Sequence, residues 1–310
     1  MSDAWPELAY ADWRDTAATL QLWTQIAGKI RLALSPWVNH GWQVPLYVSA
    51  RGLTTSPIPA GHEILELEFD FTAHELAARL STGEQRTLAL APQTVAEFYH
   101  GVMALLHGMG VAVVINEMPN EVAAPIPFSR DLVHRAYDAG AAYRFWRTLV
   151  QADRVFRKFR SGFLGKVSPV HFFWGGFDLA VTRFSGRRAP LHPGGVPGLP
   201  DAVTREAYSH EVSSAGFWPG NDAFPQAAFY SYAYPEPPGF RDRPAGGAGQ
   251  YDAKLGEFIL PYDAVRLAQN PDMVLLDFLS STYAAAAETA GWDRGALECA
   301  MGLPARVRPV

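Results

Sequence analysis

The 310-residue sequence has a single cysteine, Cys299. One thiol cannot close an intrachain disulfide, so the fold must rest on its core, as in proteins of reducing compartments. It also rules out a cysteine-rich zinc site within the chain. Charged residues are sparse at 18%, against 48% hydrophobic. That balance excludes a disordered chain, because there is ample apolar side chain to build a core. Positive charge is not in excess: the net charge is −5, and a chain that grips nucleic acid needs a cationic face. The only dense basic run is Arg154, Arg157, Lys158, Arg160 and Lys166, which spreads over the solvated side of an expected helix.

Long apolar runs are missing as well. The most apolar helical stretch, residues 273–290, contains Asp277 and Glu288, which speaks against a membrane span. The start, Met1-Ser-Asp-Ala-Trp-Pro-Glu7, lacks the basic and apolar segments of a signal peptide. The expectation is a soluble, cytoplasmic protein with neither nucleic acid nor membrane as partner. Familiar catalytic signatures are lacking too. No phosphate-binding loop and no Gly-x-Ser-x-Gly elbow is present. Gly108-Met-Gly110 falls between helix and strand, the wrong order for a dinucleotide loop. Three His-Glu pairs, at His62, His74 and His210, lack the second histidine of a zinc protease. Glu97, His100 and His107 share one helical stripe. The two histidines are about 10 Å apart along the axis, too far to share an ion. No metal site is expected, and no cofactor is named by any motif.

What is present is aromatic side chain, 13% of the chain with 9 Trp and 18 Phe, enough to fill a core and line a pocket. Helical spacing of Leu20, Trp23, Ala27, Ile30 and Leu34 predicts a helix over residues 12–34, stopped before Ser35-Pro36. Strands are expected at residues 42–50, 64–71, 75–80 and 86–90, with a loop at 55–61. In the run 64–71, Glu66, Glu68 and Asp70 alternate with Leu65, Leu67 and Phe69, as in a strand with one wet face. A helix over 94–107 ends at Gly108 and Gly110, a strand covers 111–116, and the proline-rich stretch 118–129 is extended. A second long helix covers 141–163. Strand-like runs follow at 168–186, 208–217, 229–234 and 258–260, with surface loops at 190–200 and 235–250. A last helix spans 272–290, and the final ten residues are expected to be loose.

The two halves resemble one another. An ungapped shift of 126 residues sets Leu20 on Trp146, Trp23 on Leu149, Ile30 on Phe156, Val44 on Val170 and Leu53 on Leu179. The fold class read from this is α+β: mainly antiparallel sheet with long helices packed on it, with an internal duplication of a helix-plus-sheet unit expected. Residues 1–120 form the first half and 121–310 the second, either as two units or as one continuous domain.

The most function-like stretches are Ser168 to Gly186, broken by Gly175-Gly176, and Tyr208 to Gly220. Several runs, His171-Phe-Phe-Trp-Gly-Gly-Phe-Asp178, Arg183-Phe-Ser-Gly-Arg187, Tyr208-Ser-His-Glu-Val-Ser-Ser-Ala-Gly-Phe-Trp-Pro219 and Tyr232-Ala-Tyr-Pro-Glu-Pro237, are similar to a bacterial family catalogued as domain of unknown function 5996. So are Trp23-Thr-Gln-Ile26 and Ala50-Arg-Gly-Leu-Thr-Thr-Ser-Pro57, so the resemblance covers nearly the whole chain. It implies no activity.

The candidate ligand-binding residues are therefore His171, Trp174, Asp178, Arg183, His210, Glu211 and Trp218. His171 and Asp178 fall on opposite faces of a regular strand, unless a bulge or turn at Gly175-Gly176 brings them together. Arg183 and Arg187 could hold a carboxylate or phosphate, or form a salt bridge to Asp178 or Glu211. The expected function is small-molecule binding in an aromatic-lined polar pocket. Two alternatives stand beside it. One is a metal-dependent or hydrolytic enzyme using His171 and His210 with Asp178 or Glu211; the other is a non-catalytic protein-interaction module.

Overall fold

The computed structural model describes residues 4–308. The start of the segment read against a signal peptide, Met1 to Asp3, lies outside the described residues, as do Pro309 and Val310. The first helix, α1 (Tyr10–Leu34), ends before Ser35-Pro36 and buries Leu20, Trp23, Ala27 and Ile30. Trp23 is fully enclosed, its ring 4.5 Å from Phe98 and 5.6 Å from Tyr137. Then come β1 (Tyr47–Val48), β2 (Gly52–Thr54), β3 (Ile58–Ala60), β4 (Glu63–Asp70), β5 (Glu75–Leu80), β6 (Gln85–Ala89) and α2 (Val95–Gly108). Thr94 opens α2 with a capping box to Glu97, which gives Glu97 a helix-start role rather than a metal-ligand one.

The second half begins with α3 (Ala139–Arg160), followed by β7 (His171–Phe173), β8 (Asp178–Arg188), α4 (Asp201–Ala207), β9 (His210–Trp218), β10 (Ala228–Tyr234), β11 (Gln250–Asp252), β12 (Glu257–Pro261), α5 (Tyr262–Arg266), α6 (Pro271–Thr289) and α7 (Arg294–Leu297). Among the described residues this gives seven helices and two six-stranded antiparallel sheets, an α+β fold. The first sheet runs β1-β2-β4-β5-β6, with β3 on the same edge of β4 as β2. The second runs β11-β12-β10-β9-β8-β7.

Leu46 and Phe172 exchange two backbone hydrogen bonds of 2.9 and 2.8 Å, tying the sheets together at β7. A single apolar core runs through both halves. Each half opens with a long helix followed by antiparallel strands, but the strand orders differ: in the second half α4 stands between β8 and β9, and β12 rather than β11 lies next to β10. Leu46 and Phe172 are themselves related by the 126-residue shift. The shift does not hold past the first hairpin. Six residues separate paired Tyr47 and Thr54, whereas four separate paired Phe173 and Asp178, so Leu53 and Leu179 are not equivalent in register.

Other expectations need correction. Residues 111–116 make no strand and run along the rim of a cleft instead. Within 42–50 only Tyr47–Val48 is a strand, and the expected loop at 55–61 contains β3, whose Pro59 is tolerated on an edge. Helix α4 is two turns long, too short for periodicity to reveal. The wet face of β4 is covered at its end: Glu68 and Asp70 are buried, Glu68 bonded to Ser49 and Arg79, Asp70 to Thr72, Ala73 and Arg51. The tail is not free either, since Gly302 and Arg308 hydrogen bond to Ser161 at the end of α3.

Alternation divides the second sheet into two faces. Leu179, Phe217, Phe229 and Leu260 form one cross-strand row, buried and facing the helical layer of α3 and α6. The neighbouring rows, Ala180-Gly216-Tyr230 and Thr182-Ser214-Tyr232, face the other way, toward the functional site.

Candidate functional site

That second face is the floor of a cleft of about 630 Å³. Asp178, Ala180, Thr182 and Phe184 of β8 line it, with Ser214 of β9 and Tyr230 and Tyr232 of β10. The opposite wall comes from Lys29, Leu32 and Ala33 of α1, from Trp37, His40, Trp42 and Val44, and from Val114 to Asn116 with Asn120 and Glu121. Helix α4 and Tyr208 close one side.

The inner end is acidic. Trp174-Gly-Gly-Phe177 forms the β7–β8 hairpin loop, so His171 pairs with Ala180 and Phe173 with Asp178. The turn thereby puts His171 and Asp178 on the same face. Gly175 and Gly176 leave room here for two carboxyls. A Cβ on Gly175 would lie 2.0 Å from Glu121 Oε1, and one on Gly176 would lie 2.7 Å from Asp178 Oδ1. Two carboxyls thus crowd one glycine pair. Burial raises the Asp178 carboxyl from 3.8 to about 6, although it accepts the Tyr230 hydroxyl proton in a hydrogen bond. The surface it retains faces the cleft. Burial and the nearby Asp178 raise Glu121 to about 7. Glu121 keeps more open surface, so water screens more of its charge than that of Asp178. Burial likewise lifts Glu257 to about 7, with Asp178 and Asp252 adding to it.

Tyrosine hydroxyls frame this end. Tyr230 reaches Asp178 because Gly216 offers no side chain: a Cβ there would lie 2.3 Å from the phenol. Tyr208 and Tyr232 share a 2.8 Å hydroxyl contact, and the rings of Tyr230 and Tyr232 stack at 6.1 Å. Gln21, Gln25 and Lys29, successive on one side of α1, hold the wall by bonding the carbonyls of Gly175, Asn120 and Met118. Burial lowers Lys29 to about 8.

The other end is basic and aromatic. His40 Nδ1 lies 3.1 Å from the Ala207 carbonyl and its Nε2 2.6 Å from Lys166 Nζ. Lys166 sits over the rings of Trp42 and Phe184. His40 and Glu121 both adopt left-handed backbone, φ 62° and 55°, a conformation that persists only where surroundings enforce it and that concentrates at functional sites.

The residues singled out by sequence scatter around this geometry. Trp174 and Asp178 line the cleft, and the Trp174 indole donates to the Val44 carbonyl. His171 is buried behind the wall among Trp42, Tyr47 and Phe173, its Nε2 without a partner, and burial drives it down to about 3. His210 stands at the basic end, 5.9 Å from His40. Arg183 lies on the opposite face, buried against Phe159, Phe163 and Tyr283 and donating to the Phe159 carbonyl. It does not pair with Asp178. Glu211 also faces away, in a 2.7 Å ion pair with Arg187. Trp218 stacks on Phe224 beyond the cleft. Sequence reasoning missed Glu121, Lys29, His40, Tyr208, Tyr230 and Tyr232. The alternation of Tyr230, Tyr232 and Tyr234 was the available signal for the tyrosine row. Nothing local marks Glu121.

A family model matches residues 5–299. The chain belongs to DUF5996, a family of unknown function. No curated protein and no solved structure matches it. In this DUF5996 chain the run from His171 to Asp178 builds the hairpin that carries Asp178, the run from Tyr208 to Pro219 supplies β9, and Tyr232 belongs to the tyrosine row. Among the described residues no helix is long and apolar enough to cross a membrane, and no group of three His, Cys, Asp or Glu side chains is placed to hold a metal ion.

Proposed function

We propose that this protein binds a small organic molecule in the cleft between its second sheet and α1. The observation that carries the reading is the convergence of Asp178 and Glu121 on Gly175-Gly176, inside a cavity walled by Trp37, Trp42, Trp174 and tyrosines. Its volume is that of ordinary ligand sites, and a few converging polar groups on an apolar wall are what such sites use for orientation. The net charge of −5 and the single cysteine favour a cytoplasmic protein whose partner is that ligand, not nucleic acid or membrane. The tryptophans do not favour an interaction module: Trp5, Trp13, Trp23, Trp146 and Trp292 are buried in the core.

The test is to fill the cleft. Thr182→Trp and, separately, Ala180→Phe project bulk from the floor. Equilibrium dialysis against a bacterial metabolite extract, read by mass spectrometry, should show compounds enriched by the wild type and lost with both variants, whose folding is checked by thermal melt. Enrichment unchanged by filling, or no enrichment at all, would refute the reading.

One observation favours a second reading, acid–base catalysis. Asp178 at about 6 and Glu121 at about 7 straddle the range in which one carboxyl donates and its neighbour accepts a proton. In that reading the pair is Asp178 and Glu121. The constellation of His171 and His210 with Glu211 does not converge, because His171 is walled off and Glu211 faces away.

A further inference from the structure

We infer that the cleft takes an organic cation: a protonated amine whose head sits between Asp178 and Glu121, with Glu257 adding negative charge from beside Tyr232, and whose apolar body lies along the tryptophan wall. This rests on reading the cleft as a ligand site. Among the described residues, none of the three carboxylates forms an ion pair. Glu257 follows the same face, since Phe258 pairs with Ser231 and the next residue back stands beside Tyr232. Half-buried Asp178 and the more open Glu121 crowd one another without a counter-charge, which is unfavourable, and a cation from outside is the direct remedy. A compact metal ion is a poor fit, because among the described residues no three His, Cys, Asp or Glu side chains come close enough to ligate one. An ammonium group suits spaced oxygens, and it gains further from aromatic faces such as Tyr230, Tyr232 and Trp174.

The rest of the cleft sets the orientation. At its mouth Leu32, Trp37 and Val114 are 36%, 52% and 90% exposed, an apolar edge along which a hydrocarbon or aromatic body can lie. A cation is repelled from the other end by Lys166, which sits over the Phe184 ring. Phe184 stands six residues along β8 from Asp178, about 20 Å at the rise of an extended strand. The charged head therefore goes to the Asp178 end.

The titratable groups around Asp178 are Glu121 from the cleft wall, Tyr230 and Tyr232 from β10, Glu257 from β12 and Tyr208 after α4. Each carboxyl is more charged at higher pH, so an amine, protonated throughout, should bind more tightly as pH rises from about 5 to 8.

The experiment uses three probes of similar size on the full chain: phenethylamine, phenethyl alcohol and hydrocinnamate, by calorimetry or ligand-detected NMR. The amine should bind at least about tenfold more tightly than either neutral or anionic probe at neutral pH. Asp178→Asn, confirmed folded by thermal melt, should lose that preference, and Thr182→Trp should lose binding altogether. Equal binding of the alcohol, preference for hydrocinnamate, amine affinity that ignores pH and Asp178→Asn, or no amine binding up to millimolar concentration would each overturn the cation assignment. If the alcohol or hydrocinnamate binds and Thr182→Trp abolishes it, the cleft is a ligand site and only its cationic specificity is wrong.

Discussion

Replacing Asp178 by Asn should make the unliganded protein more stable at neutral pH. Asp178 is charged in the unfolded chain above 3.8, but in the folded state only above about 6. The folded state therefore holds its proton more tightly than the unfolded one. That preference is neutral for stability below pH 3.8, where both states are protonated. As pH rises from there to about 6, stability is lost, because folding must then either take up a proton or bury a charge. At about 1.4 kcal/mol per pH unit, the full penalty above pH 6 is about 3 kcal/mol. Asn has nearly the same shape, carries no charge and can still accept the Tyr230 hydroxyl. The net expectation is a gain of about 3 kcal/mol at pH 8 that shrinks to nothing near pH 4.

Urea unfolding of both proteins at several pH values measures this directly, with the midpoint moving at constant slope. A ligand-free sample is essential, because a bound cation would reverse the sign by compensating the charge. If Asp178→Asn is less stable than the wild type at pH 8, or if the difference does not vary with pH, the carboxylate is already compensated within the chain and the reasoning fails. A stabilising substitution at the floor of a cleft is what a site that gives up stability for binding should show.

Three further outcomes are expected. His171→Phe should flatten the acid limb of the stability curve, because burial holds the folded imidazole neutral down to about 3, so the wild type loses stability as pH falls below the unfolded value near 6.5; an unchanged limb by pH-dependent melting would refute it. Arg183→Met should lie within about 1 kcal/mol of the wild type, since it removes a buried charge lacking an ion pair among the described residues yet keeps volume beside Phe159 and Tyr283, whereas Arg183→Ala should lose about 2–4 kcal/mol by chemical unfolding. Gly175→Ala should change stability by less than about 1 kcal/mol, because the new methyl meets only the movable end of Glu121, but it should expel that carboxylate and lower the Asp178 pKa as read by carboxyl NMR titration.

Much of the fold was legible because its signals are local. The long helices α1, α3 and α6 carry apolar spacing over many turns; α1 and α6 end at Ser35-Pro36 and near Gly291 as expected, whereas α3 ends at Arg160, three residues before the expected 163. Strands β4, β5 and β10 alternate cleanly. What failed was short or depended on partners. Two turns of α4 leave no period to detect. The extended residues 111–116 look like a strand until one asks what edge they would pair with. The polar face of β4 reads as wet because nothing in its own sequence announces that Arg79 and Ser49 will cover Glu68.

The site divides along the same line. Trp174 and Asp178 were reachable because they flank a glycine pair in an aromatic run, and glycine in a strand-like run signals close approach of another group. The pair does two jobs: it turns the hairpin, and it leaves room for carboxylates that any side chain would displace. Only the first job can be read along the chain. The second needs Glu121, which arrives from a proline-rich stretch in left-handed backbone, and the tyrosines, which arrive through the register of β8, β9 and β10. Arg183 and Glu211 were plausible for the converse reason: their chemistry suits a site, but their parity on the strand sends them to the other face. In a cleft floored by a sheet, residue type nominates candidates, whereas alternation and cross-strand register decide which of them meet. Once Asp178 was known to point into the cleft, the register alone would have selected Tyr230 and Tyr232 and set Arg183 aside.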